Sequence, residues 1–139
     1  MDIFLMDLKD LKEHEMVNLD YLKKLKRQIR KDKVLKKPIV VDKNTKIIID
    51  GHSRFNSLKQ LGLSKIPVFL IDYNSPEILV RRWNDNKKIT KEEVLSAGLN
   101  GKKLPPKTSK HMIKIGNKIE HISIIEKRLN ISLKKLSGD

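Results

Sequence analysis

The stretch Ile47-Ile48-Ile49-Asp50-Gly51-His52-Ser53-Arg54 is an apolar strand running into a polar turn, and Phe55, Leu58 and Leu61 behind it repeat at helical spacing. A strand that feeds directly into a helix leaves the first helical N–H groups unpaired and sets the positive end of the helix dipole at the turn. Phosphates are commonly held at such junctions, and Gly51 lets a ligand approach the backbone closely. Asp50, His52 and Arg54 would surround a phosphate with a metal-binding carboxylate, a titratable donor and a fixed cation. The plainer alternative is a connection whose polar residues only cap the helix and meet solvent.

Upstream of the turn, Asn18 can cap a helix through about Lys31, because Leu19, Leu22, Leu25 and Ile29 share one face between charged residues. Pro38 opens the strand Ile39-Val40-Val41, and Asp42-Lys43-Asn44-Thr45 turns it back into the strand from Lys46 to Ile49, making a hairpin. Downstream, the helix from Ser53 to Leu61 stops at Gly62, and Ile66 to Asp72 reads as a nearly continuous apolar strand. Beyond Tyr73 the pattern changes. Ser75-Pro76-Glu77 suits a helix start while Ile78-Leu79-Val80 suits a strand, and the sequence leaves both open. Thr90-Lys91-Glu92-Glu93 is a capping box for a helix ending at Gly101. The stiff segment Leu104-Pro105-Pro106-Lys107-Thr108-Ser109-Lys110-His111 follows, then a hairpin through Gly116-Asn117 and an Ile-rich tail ending in Leu133 to Leu136.

A chain of 139 residues holds one ordinary domain with a modest appendage. It has no cysteine, which excludes disulfides, thiolate metal sites and a thiol nucleophile. No apolar run has the length of a membrane span, and the opening Met1-Asp2-Ile3-Phe4 lacks the basic-then-apolar order of a secretory signal, so a cytoplasmic location is expected. Lys and Arg number 31 against 17 Asp and Glu, a net charge of +14. Such a balance favours anionic partners, nucleic acid included. The lysines are nevertheless spread over the whole chain instead of forming one stripe, which disfavours nucleic acid and equally fits a lysine-rich, thermophilic composition.

The order of helix, Pro-Ile-Val-Val strand, Ile-Asp-Gly-His-Ser-Arg turn, helix with terminal Leu-Gly and Ile-Pro-Val strand, from about Met6 to Tyr73, resembles the N-terminal domain shared by ParB partition proteins and sulfiredoxin. The resemblance implies an α+β fold: a small mixed sheet flanked by helices over residues 1–73, and a C-terminal α/β extension over 74–139 completing one compact domain. Three ordered motifs are similar to the free serine kinases of that superfamily. They are Leu11-Lys12-Glu13-His14-Glu15, Asp50-Gly51-His52-Ser53-Arg54 and Pro105-Pro106-Lys107-Thr108-Ser109-Lys110-His111.

That resemblance implies phosphorylation of free L-serine to O-phosphoserine, a step of serine and cysteine metabolism, with ADP in archaeal members or ATP in others as donor. ADP is the donor expected here, with Mg2+ as cofactor. It implies Glu15 as the base that takes the serine proton, oriented by His14, with Asp50 and His52 beside it in the chemistry. Asp50 would hold the metal, while Gly51, His52, Ser53, Arg54, Lys24 and Gln28 would face the nucleotide phosphates. Trp83, Lys107, Thr108, Ser109, Lys110 and His111 would bind serine or its phosphate. The chain departs from the family pattern in two places. Ser53 stands where a second histidine is usual, and Lys110 where an arginine is usual, which keeps the charge and loses the bidentate fork.

Other classes fit less well. A ParB-like nucleotide- or DNA-binding regulatory module without kinase activity is the alternative, but its Gly-Glu-Arg-Arg-X-Arg turn is absent, and Asn56 stands at the last arginine. No helix-turn-helix pattern follows Tyr73. Sulfiredoxin activity needs the cysteine that this chain lacks. Oligomeric state has no signature in the sequence.

Overall fold

The computed structural model describes residues 3–83 and 88–138. Met1 and Asp2 of the opening stretch, and Asn84 beside Trp83, lie outside the described residues. The chain begins with β1 (Ile3–Asp7) and reaches α1 (Leu19–Asp32), where the Asn18 side chain accepts from the Tyr21 N–H at 2.9 Å. Leu22 and Ile29 are buried on the inner face of α1, whereas Leu19, its first residue, is 72% exposed and lies off the core face that its spacing suggested. There follow β2 (Val34–Leu35), β3 (Ile39–Asp42), β4 (Ile48–Asp50), α2 (His52–Gln60) and β5 (Lys65–Ile71).

Four of these strands form a sheet in the order β1-β5-β3-β4, with β3 parallel to β5 and the other pairs antiparallel. The parallel pair requires a crossover, and β4 with α2 supplies it. Side chains of β3 alternate between two faces. Ile39 and Val41 join Ile48, Phe55, Leu58, Ile66 and Val68 under α1 and α2, while Val40 joins Ile47, Ile49, Ile71 and Tyr73 on the opposite side. Because both faces are covered, the strands read as unbroken apolar runs instead of alternating ones. Burying each such side chain contributes about 1.5–3 kcal/mol.

The second half covers the other face. The segment left open by the sequence is a strand, β6 (Ile78–Arg81), and it pairs with β7 (Lys110–Ile115), which pairs with β8 (Lys118–His121), all antiparallel. Between β6 and β7, α3 (Lys91–Asn100) starts at the Thr90 capping box with Glu93. Gly98 brings α3 so close to the sheet that a Cβ there would lie 2.7 Å from Ile47 Cδ1. The tail pairs β9 (Ile131–Ser132) with β2 and then inserts Leu136, fully buried, into the core beneath α1 and α2. Among the described residues no helix is long and apolar enough to cross a membrane.

Candidate active site

Gly51 sets the junction of β4 and α2. Its φ of +108° is a left-handed value, and a Cβ would stand 2.3 Å from Ile39 Cγ2, so only glycine fits between the turn and β3. The first N–H groups of α2 therefore open onto a cavity of about 640 Å³, within the ordinary size for a small-ligand site.

Residues 11–16 carry the second wall, to which Glu15 and Met16 contribute, and are held on both sides by main-chain bonds. Ile48 N–H donates to Lys12 O at 2.8 Å and Lys12 N–H to Lys46 O at 3.0 Å. On the other edge, Leu104 N–H donates to His14 O and Met16 N–H to Leu104 O, both at 2.8 Å. This rib points Glu15 at the third wall, the loop entering β7. Glu15 Oε1 accepts from the Ser109 N–H and the Ser109 hydroxyl, each at 2.8 Å. The loop reaches this shape by placing Lys107 at φ +57°, and its amides form a cradle for the carboxylate. Burial pushes the Glu15 pKa up, against the pull of the amides of residues 107–109.

Behind Glu15 lie three buried imidazoles. The His14 ring meets that of His52 with centroids 4.5 Å apart and that of His111 at 5.6 Å. The His14 N–H donates to His52 Nε2 at 3.1 Å, and His111 Nε2 lies 2.8 Å from the Tyr73 hydroxyl. Burial lowers the His14 pKa to about 4 and holds His52 and His111 well below the usual histidine value. All three are neutral near pH 7.

Asp50 and Arg54 border the cavity as an ion pair at 3.4 Å. Arg54 also donates to the Pro38 carbonyl and, at 2.9 Å, to Glu126, a residue from the far end of the chain that is almost fully buried. Burial and the Asp50 carboxyl push Glu126 up to about 9, outweighing Arg54.

Of the residues singled out from sequence, Glu15, Lys24, Asp50, Gly51, His52, Ser53 and Arg54 line this cavity, as do Trp83, Lys107, Ser109 and His111. Trp83 donates its indole N–H to the Ser109 carbonyl at 3.0 Å. Three others lie outside the lining. Gln28 turns along α1 to Asp32 at 2.8 Å, the Thr108 hydroxyl donates to the Pro105 carbonyl at 2.6 Å, and the Lys110 ammonium sits 4.8 Å from the Trp83 ring centroid. Glu126, Tyr73 and His121 belong to the site or its support and escaped the sequence reading. A lone acid after Ile122-Ser123-Ile124-Ile125 was the one available signal for Glu126.

Among the described residues no group of three or more His, Cys, Asp or Glu side chains is placed to hold a metal ion. Asp50 alone suits a magnesium ion that arrives on a nucleotide, since such ions commonly take one or two protein carboxylates and complete their shell with phosphate and water.

No protein-family model matches the chain. Over 76 residues it is 46% identical to a ParB-like protein of Sulfolobus acidocaldarius, covering 55% of this chain and 38% of that protein. Over 83 residues it is 32% identical to an ATP-dependent L-serine kinase of Staphylothermus marinus, covering 57% of this chain and 33% of the kinase. The chain thus spans about a third of the length of the curated relatives it matches. Against the solved structure of a mutant free serine kinase in complex with ADP, the TM-score is 0.83 at 15% identity, over 98% of this chain and 94% of that one. The architecture is therefore α+β, with the fold seen in free serine kinases. Its sequence relatives include L-serine kinases alongside the ParB-like protein.

Proposed function

We propose that this protein phosphorylates free L-serine to O-phospho-L-serine, with ADP or ATP as donor. The observation that carries this reading is the position of Glu15, held by the Ser109 amide and hydroxyl on the wall of the cavity into which the N-terminus of α2 opens. Serine's hydroxyl is a weak nucleophile at neutral pH, so the reaction requires a base against it and positive charge around the transferring phosphoryl group. Glu15, made more basic by burial, takes the hydroxyl proton. The free N–H groups of α2 receive phosphate oxygens, and Lys24 and Lys107 add charge. Asp50 would hold the magnesium ion of the nucleotide, which supplies neutralisation of charge on the phosphates. Trp83 offers a flat apolar face to the small substrate.

The test is incubation of the folded protein with L-serine, magnesium and either ADP or ATP, followed by detection of O-phosphoserine. Its formation with one donor supports the reading and fixes the donor; none with ADP, ATP or pyrophosphate overturns it. The likeness to the ParB-like protein favours one other reading, a nucleotide-binding module without kinase activity, and nucleotide binding without product would select it.

A further inference from the structure

One hydroxyl hydrogen behind Glu15 has two claimants. The Ile48 carbonyl, 2.7 Å from His14 Nδ1, can only accept, so Nδ1 carries the hydrogen of the neutral His14 ring and Nε2 is a bare acceptor. Ser109 Oγ lies 3.0 Å from that Nε2 and 2.8 Å from Glu15 Oε1. The Ser109 hydroxyl has a single hydrogen to give. A charged carboxylate is a stronger acceptor than an imidazole, and an imidazole is stronger than a protonated carboxyl. Which partner holds the hydrogen therefore depends on the charge of Glu15.

We propose that Ser109 is a hydroxyl switch between Glu15 and His14, its hydrogen directed to Glu15 while that carboxylate is charged and turning to His14 Nε2 once Glu15 has taken a proton. The proposal rests on the reading of Glu15 as the base, and it makes Ser109 and His14 positioning residues for it. As the substrate O–H bond breaks and an O–H bond forms at Glu15, the new oxygen–phosphorus bond replaces the anhydride bond of the donor. The Ser109 hydrogen meanwhile turns without leaving its oxygen. The proton then passes from Glu15 to water after product departs. The neutral state of Glu15 is thus the one in which His14 Nε2 gains its partner, which strengthens Glu15 as a base.

The order of protonation agrees. Glu15 is raised and His14 lowered, both mainly by burial, so on acidification Glu15 takes its proton while His14 is still neutral. His14 is faced by His52 from α2, His111 from β7, Asp50 at the end of β4 and Glu13 of its own segment. Glu15 shares its cavity with Asp20 and Lys24 of α1, Asp50 of β4, His52 and Arg54 of α2, Lys107 of the cradling loop, His111 of β7 and His121 of β8.

The test follows the ¹⁵N resonances of His14 and the ¹³C carboxyl resonance of Glu15 through a pH titration of the labelled protein, without serine or nucleotide. The expected result is a displacement of His14 Nε2 that shares the Glu15 midpoint, disappears in Ser109→Ala and survives in Ser109→Thr. Ser109→Ala should raise the Glu15 midpoint by about half to one pH unit, the size of one hydrogen bond, because the charged form loses a donor. His14→Phe should lower it by a similar amount, because the hydroxyl is then committed to Glu15. Should His14→Phe fail to fold, the wild type and the two Ser109 variants decide. A His14 resonance indifferent to the Glu15 titration, or equally responsive in Ser109→Ala, overturns the switch. Because no substrate is present, a failed serine assay would overturn the kinase reading without touching this result.

Discussion

Arg54 Nη2 meets Glu126 Oε1 at 2.9 Å across 72 residues of chain. The contact ties the first turn of α2 to the C-terminal region, and Asp50 lies on the same guanidinium. Arg54 therefore has part of its hydrogen-bonding fork engaged by the protein before any ligand arrives, which fixes the direction of its charge.

Glu126 should make the protein less stable as pH rises. Its folded-state pKa of about 9 lies above the ordinary 4.5, so between those values the native state holds a proton that the unfolded chain does not. Stability is full below the lower value and declines toward the upper one. Glu126→Gln, neutral at every pH, should flatten that decline. Urea midpoints at about pH 6 and about pH 9 for both proteins measure it. Equal slopes would show that Glu126 is charged in the fold.

Replacing Gly51 by alanine combines a left-handed φ with a Cβ inside contact distance of Ile39, and should cost about 2 kcal/mol or more. Thermal unfolding reports the loss. Ile39→Ala removes the 2.3 Å contact but keeps a Cβ at 2.8 Å and leaves the backbone strain, so Gly51→Ala should cost less in that background than in the wild type without becoming free; no cost there would remove the strain from the account.

Asp50→Asn should keep the fold, because the side chain contributes charge at the cavity edge and not core volume. Turnover should fall sharply and the magnesium requirement should rise. A variant that turns over normally at limiting magnesium would reduce Asp50 to a support for Arg54.

Glu15→Gln keeps shape and removes the base, and about 10²- to 10⁴-fold of turnover should go with it. Nucleotide affinity on the same preparation should barely move. A collapse of affinity instead would assign Glu15 to phosphate or metal.

Much of this arrangement was legible in the sequence because it depends on local chemistry. Asn18 and Thr90 cap the helices expected of them, and the strand, glycine and helix around Gly51 follow from residues adjacent in the chain. What was not legible depends on distance. β1 was missed because its pairing partner lies some sixty residues later and its apolar side chains Ile3, Phe4 and Leu5 stay substantially exposed at the sheet edge. Arg54 reads as a free cation until Glu126 and Pro38 are found beside it. Tyr73 likewise acquires a role only when β7 brings His111 against it, and the contact of that ring with His14 is equally invisible in the sequence.

Beside the Ser109 hydroxyl, the grip on Glu15 is made by main-chain N–H groups of the loop, and Lys107 contributes a backbone angle. Amides are the same in every amino acid except proline, so the side chain at 108 is free to drift while the grip persists, provided the chain still kinks where Pro105 and Pro106 stiffen it and residue 107 tolerates a left-handed angle. A survey of genomes keyed to side-chain letters would pass over such loops, whereas one keyed to the bend of the backbone would gather them.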